Sequence, residues 1–399
     1  MAGAVTRDAI ATAQAELERE GLAAWLVFDF RGSNRFAARF LPAGALLSRR
    51  VFLLIPREGR PVMLAGALET GSLRMPEAEI RGYASRDSLV EALRALLPDG
   101  PVAMEVSPNG DVPYVSVVDA GTVDLLRGLG AEIVSSAELL QGFATWDEAQ
   151  VRAHREAARG TMEVLDEAWD ALRSRAREGR EVRESEIQGV VAAGFDARGL
   201  VYDHKAIVGF GPNAGNPHYL PVAGQDRALT PGDAILVDLF ARLPAEGAPY
   251  ADVTWMGTYG PASDAFEHAF RAVAEARDVG VRTLREAHAA GRRLQGREVD
   301  RAVRDHLSAS GYADAFVHRT GHSLGSRHTH GDAAHFDDFE TRDTRTVRPG
   351  MGFTIEPGVY LPDFGVRSEL DVLLRDDGLE VTTGVQAEPV RVPLGPRHR

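Results

Sequence analysis

Four carboxylates set into apolar, strand-like stretches constrain this chain more than any other feature, because a buried acid without a partner is too costly to keep. Asp238 ends the run Ala234-Ile-Leu-Val-Asp238. Asp252 opens a second, Ala251-Asp-Val-Thr-Trp255, after a Pro/Gly-bearing loop that reads as a hairpin connection. Glu356 lies in Gly352-Phe-Thr-Ile-Glu-Pro-Gly358 and Glu369 in Gly365-Val-Arg-Ser-Glu-Leu-Asp-Val-Leu-Leu374. Paired strands would let the two aspartates face one pocket, and an ion pair or a metal would remove the burial cost. Between the acid pairs stands Arg319-Thr-Gly-His322-Ser-Leu-Gly325, where a histidine between close glycines can bring its imidazole to a buried ion. Hard oxygens plus one imidazole suit a pair of divalent cations better than a thiolate-rich zinc site. Four carboxylates balance two dications and leave a bridging hydroxide as nucleophile. The plainer readings are surface hairpin acids, a core histidine, and an ion pair of Glu369 with Arg367, which strand alternation places on the same face.

With 399 residues, 44% hydrophobic and 26% charged, the chain can bury an ordinary core, and its length suggests two or three domains. A net charge of −13 without any basic stretch argues against a nucleic-acid partner. The absence of cysteine removes disulfides and thiol catalysis and fits a reducing compartment. The first residues lack a signal peptide's apolar core and no run approaches membrane-spanning length, so a cytoplasmic protein without membrane contact is expected.

The chain opens with a helix over 8–20 closed by Gly21. Short apolar runs at 24–28, 51–55, 62–64 and 102–106 read as buried strands, and 89–97 and 122–129 as helices, giving an α/β unit through about residue 142. Thr145-Trp-Asp-Glu148 has the spacing of a capping box, with Thr145 as N-cap of a long helix toward Arg175. The boundary is placed there, giving domains 1–143 and 144–399. A helix around 184–198 and a strand at 206–208 lead into Gly209-Phe-Gly-Pro-Asn-Ala-Gly-Asn-Pro-His218, a stretch dense in turn formers. Helices over 265–288 and 297–308 separate the aspartates from His322.

In this order and in these contexts, the four acids and His322 resemble the pita-bread metallopeptidases: methionine aminopeptidase, prolidase and aminopeptidase P. The resemblance is specific from about Trp146 to Val392 and general before it, where the α/β unit looks like a creatinase-type N-terminal domain. It implies an α/β (α+β) fold whose catalytic domain is two related halves around a curved, mainly antiparallel sheet. It also implies a homodimer acting on proline-containing peptides at Xaa-Pro bonds. Two divalent ions per chain are implied: manganese by preference, with cobalt, zinc or iron as alternatives. Asp238 would chelate one ion, His322 and Glu356 would hold the other, and Asp252 and Glu369 would bridge both.

By the same resemblance Glu356 takes a proton from the attacking water, His318 and His330 steady the oxygen of the tetrahedral intermediate, His218 helps the amine depart, and Arg367 serves the site. The family's downstream histidine stands seven residues after the ligand, where this chain has Thr329 between His328 and His330. The pair His330-Gly331 favours His330 for that role and leaves His335 outside it. A methionine aminopeptidase is disfavoured by the N-terminal domain, and a creatinase-like amidinohydrolase by the ligand set. A non-catalytic binding protein of this fold is disfavoured because all five ligands are kept. The carboxylate-gripping arginine of some prolidases has Ala333 in its place. That leans toward an aminopeptidase P-like enzyme, with an Xaa-Pro dipeptidase as the alternative if Arg327, Arg367, or a basic residue of the N-terminal domain or a partner subunit supplies the charge.

Overall fold

The computed structural model describes residues 2–42 and 47–396, and the chain divides into two compact units, Met1–Phe143 and Ala144–Arg399. Among the described residues no helix is long and apolar enough to cross a membrane.

The first unit is a six-stranded mixed sheet of β1 (Ala24–Phe30), β2 (Arg50–Pro56), β3 (Val62–Gly66), β4 (Glu79–Tyr83), β5 (Pro101–Met104) and β6 (Glu132–Ser135), in the order β4-β3-β2-β1-β5-β6. β1 pairs antiparallel with β2 and parallel with β5. Its unbroken apolar run follows from this central position, since both faces are covered. Trp25 and Val27 enter a core with Ala13 and Leu17 of the helix Ala2–Glu20, and Leu26 and Phe28 enter another with Leu89 and Leu93 of the helix Arg86–Leu96. The outer strands β4 and β6 are largely exposed or half-buried.

The second unit begins with the helix Glu148–Arg177. Its N-cap is Asp147, not Thr145: the Asp147 carboxylate accepts from the Gln150 amide at 2.8 Å, and the Gln150 side chain accepts from the Asp147 amide at 3.0 Å. Both pairs have the spacing of a capping box, but the Trp146 amide donates to the Gly350 carbonyl at 2.6 Å and holds residue 146 outside the helix. The helix Glu184–Ala197 follows. The strand expected at 206–208 lies one to two residues later, as β7 (Ile207–Phe210).

β7, β8 (Ala234–Ala241) and β9 (Ala251–Tyr259) form an antiparallel meander. Val237, Leu239 and Val253 point outward into the core made with the helix Glu148–Arg177, while Leu236 and Met256 point inward with the helix Asp264–Ala289. The pleat therefore puts Asp238, Asp252 and Thr254 on the inward face. After the helix Gly296–Ala309 come β10 (Met351–Ile355), β11 (Gly358–Tyr360), β12 (Gly365–Arg367), β13 (Leu370–Arg375), β14 (Gly378–Val381) and β15 (Val390–Val392). β10, β13 and β14 form an antiparallel sheet, β11 and β12 an antiparallel pair, and β15 joins β9 in parallel. The pairing in this unit is mainly antiparallel, as expected.

Candidate metal centre

The acids gather where the β8–β9 meander meets the β10–β13 pair. Thr254 stands opposite Asp238 across the β8–β9 ladder, and Asp252 lies two residues from Thr254, so the aspartates are diagonal neighbours on one face. The glutamates do not lie inside strands as expected. Glu356 follows the last residue of β10 and Glu369 precedes the first of β13, flanking the terminal rung Ile355–Leu370. Each backbone peels off to another partner: the Glu369 amide donates to the Thr254 carbonyl at 3.2 Å, and the Glu356 amide to the Thr320 carbonyl at 2.7 Å. The ladder thus opens at its end and turns both side chains into the seam between the sheets.

His322 arrives on a segment laid along β10. The Thr354 amide donates to the His322 carbonyl at 2.9 Å, and the Leu324 amide to the Gly352 carbonyl at 2.9 Å. Gly321 permits this approach, because a Cβ there would meet the Thr354 carbonyl oxygen at 2.2 Å. His322 Nδ1 lies 3.0 Å from the Ser323 carbonyl. A carbonyl only accepts, so Nδ1 carries the proton and Nε2 presents its lone pair. That lone pair faces Asp252 Oδ2 and Glu356 Oε1, each at 3.6 Å. Burial and then the adjacent His330 hold the imidazole pKa well below its usual value, which keeps the ring neutral.

One donor atom each from Asp252, His322 and Glu369 lie within 4.8 Å of one another, all three residues buried. Acceptors facing acceptors at this spacing repel unless a cation stands among them, so the residues fit divalent ions. Burial, then the neighbouring carboxylates, push Asp252 and Glu369 well above the ordinary carboxylate range, and burial pushes Glu356 up to about 7. Burial also raises Asp238, opposed by Arg367.

Arg367, at the end of β12, pairs with Asp238 and donates through Nε to Thr254 Oγ1 at 2.9 Å, and that hydroxyl donates to Glu369 Oε2 at 2.7 Å. It thus holds a carboxylate itself and supports another through Thr254. His330 brings its ring centroid to 4.0 Å from that of His322, and its Nδ1 accepts from Arg319 at 2.9 Å. Burial and then Arg319 push its pKa down to about 4, although part of the side chain remains open to solvent. His328 is exposed, 3.6 Å from Asp203. His218 sits on an exposed turn of the cavity wall.

His318, expected to steady the oxyanion, is hydrogen-bonded through both ring nitrogens. Its Nδ1 donates to the Arg319 carbonyl at 2.7 Å, so its Nε2, at 2.8 Å from the Tyr360 hydroxyl, accepts from it. With both nitrogens engaged, His318 offers no free N–H here. Tyr360 in turn accepts from Arg367 Nη1 at 3.3 Å. His335 is buried and accepts from the Ser323 amide at 3.2 Å, away from the cavity lining. Ala333 is buried, and Arg327 does not line the cavity.

Sequence reasoning missed Thr254, Tyr360, Arg319 and Asp371. Asp371 Oδ2 accepts from the Asp252 amide at 2.9 Å, while its Oδ1 is buried without a partner among the described residues. Its signal was available, an acid two residues after Glu369 in the same apolar run. The cavity over the centre has a volume of about 510 Å³ and is lined by all five candidate ligands, Arg367, His218 and His330.

Known proteins resemble this chain in sequence and fold. The probable dipeptidase PepE of Mycobacterium tuberculosis is 27% identical over 359 residues, covering 87% of this chain and 86% of the relative. The putative dipeptidase YkvY of Bacillus subtilis is 28% identical over 341 residues, covering 84% of this chain and 87% of the relative. The crystal structure of dipeptidase PepE from Mycobacterium ulcerans superposes with a TM-score of 0.68 at 25% identity, covering 99% of this chain and all of that one. An X-Pro aminopeptidase structure from Thermotoga maritima shares the fold with a TM-score of 0.55 at 21% identity, over 94% of this chain and 99% of that one. The model of metallopeptidase family M24 matches residues 152–376, more than half of the chain and every acid and imidazole of the proposed centre, and the chain belongs to that family.

Proposed function

We propose that this chain is a two-metal exopeptidase that hydrolyses an Xaa-Pro bond at a peptide N-terminus. The observation that carries the reading is the convergence of Asp252, His322 and Glu369 donor atoms within 4.8 Å, with the His322 lone pair turned toward carboxylates. Asp238 would hold one ion, His322 and Glu356 the other, and Asp252 and Glu369 both. When bound, the ions supply Lewis acidity and a water acidic enough to attack at neutral pH.

The chain's own residues do the rest. Glu356 accepts the proton of the attacking water. His330, whose Nδ1 is tied to Arg319, keeps its proton on Nε2 and donates it as a hydrogen bond to the developing oxyanion. His218 reaches from the cavity wall toward the departing amine. Arg367, braced by Tyr360 and through it by His318, keeps Asp238 ionised and oriented. The neighbouring structures support both an aminopeptidase P-like and a dipeptidase form of this reading, and the choice turns on what meets the residue after the scissile bond.

Metal analysis of protein purified without chelators, followed by manganese reconstitution, tests the proposal. Two ions per chain and Xaa-Pro cleavage are expected. Asp252→Ala should lower metal content and abolish turnover while the fold survives. Fewer than about one ion per chain with no manganese-restored activity would sink the mechanism.

A further inference from the structure

The sequence contains one lysine, Lys205. It is exposed and lines the catalytic cavity, and among the described residues no acid pairs with it. The other permanently charged cation of that lining, Arg367, is already committed to Asp238 and Thr254. A lone ammonium on a cavity that otherwise collects carboxylates calls for an anionic ligand.

The backbone explains how it gets there. Val201 bridges to Arg242 and Ile207 pairs with Asp238, so six steps on one strand face four on its partner. The two extra residues bulge out, and such bulges re-aim side chains beside active sites. This one turns Asp203, His204 and Lys205 into the cavity. The bulge is tied down: Asp203 accepts from Thr329 Oγ1 at 3.4 Å and faces His328 at 3.6 Å. Lys205 is two residues before Ile207, the partner of Asp238, and lines the same cavity as the five candidate ligands. The C-terminal carboxylate of a dipeptide lies one residue, roughly 3.5 Å, beyond the scissile bond. The flexible four-carbon lysine stem carries its ammonium over that cavity toward this position.

We propose that Lys205 receives the free carboxylate of a bound dipeptide and makes this site selective for dipeptides over longer peptides, an inference that rests on the exopeptidase reading above. A longer chain presents a neutral amide at that place and gains nothing from the ammonium. The charge that Ala333 does not supply is provided here from a different segment.

The test compares Ala-Pro with its amide, Ala-Pro-NH2, on manganese-loaded full-length protein, for wild type, Lys205→Met and Lys205→Arg. Wild type should favour Ala-Pro by about tenfold to a hundredfold in kcat/KM, the range of a hydrogen bond between charged groups. Lys205→Met should erase that preference by raising KM for Ala-Pro alone, with kcat and metal content kept, and Lys205→Arg should restore most of it. Lys205 also borders a smaller recess beside Ser185 and Glu186. If its ammonium belongs there, Lys205→Met leaves both substrates untouched and the proposal falls. It falls equally if wild type shows no preference or if both substrates suffer alike. Wild type that cleaves neither substrate despite full metal loading removes the exopeptidase reading itself and this inference with it.

Discussion

Replacing Thr254 by valine isolates the hydroxyl that joins the cationic and anionic halves of the centre. Thr254 is fully buried on β9, donating to Glu369 Oε2 at 2.7 Å and accepting from Arg367 Nε at 2.9 Å. Valine fills nearly the same volume, so the loss is of hydrogen bonds rather than of packing. The backbone bond from the Glu369 amide to the Thr254 carbonyl, 3.2 Å, remains. A hydrogen bond to a charged group contributes about 1.5–3 kcal/mol. Arg367 retains Asp238, so most of the loss falls on the orientation of Glu369. That range converts to a drop of roughly tenfold to a hundredfold in manganese affinity, the usual effect of removing a group that orients a ligand. Turnover at limiting metal should fall in proportion and recover in excess manganese. Thr254→Ser keeps the hydroxyl and should stay within about threefold of wild type, losing only the methyl's roughly 1 kcal/mol of stability. Calorimetric metal titration of the three proteins decides the matter. Wild-type affinity and rate in Thr254→Val would refute the claim that this hydroxyl holds the bridging glutamate.

Two further outcomes follow from the same geometry and from the first unit. His330→Ala should lower kcat by about a hundredfold, whereas exposed His328→Ala should change little, and the reverse result in steady-state kinetics would move the oxyanion role to His328. In the first unit, burial pushes Glu105 from 4.5 up to about 7, partly offset by hydrogen bonds from Trp25 and Asn34. Its proton is held more tightly in the folded state, so its contribution is most favourable below pH 4.5. That contribution is lost as pH rises to about 7, by roughly 3 kcal/mol in all. Urea unfolding at pH 5 and pH 8 should show most of that fall in wild type and a much smaller one in Glu105→Gln; an equal fall in both proteins would discard the assignment.

The sequence exposes those parts of the centre that violate a local rule. An acid inside an apolar run is conspicuous, which is why Asp238, Asp252, Glu356 and Glu369 stand out without coordinates. β1 is legible for the opposite reason, its apolar run being unbroken because both faces are covered. The edge strands β4 and β6 escaped notice because their polar, half-exposed residues carry no two-residue alternation. Thr254 and Tyr360 escaped because nothing unusual surrounds them locally. Thr254 matters through Glu369 and Arg367, more than a hundred residues away, and Tyr360 by linking Arg367 to His318.

What no local pattern could show is the opened end of the β10–β13 ladder. Continued register would have set Glu356 directly opposite Glu369, two like charges on adjacent strands, a destabilising arrangement. The structure instead sends one backbone to Thr320 and the other to Thr254, so the two glutamates approach the seam from different segments, where His322 faces both Glu356 and Asp252. Cations at that seam would join four chain segments that otherwise repel through their carboxylates. Metal binding and the stability of the second unit are therefore coupled: relieving the repulsion by Glu369→Gln should stabilise the metal-free protein while removing most of the stabilisation that manganese gives the wild type. Thermal unfolding with and without the ion would show this as two shifts of opposite sign, and a variant that lost stability in both conditions would mean that Glu369 is held by its hydrogen bonds alone.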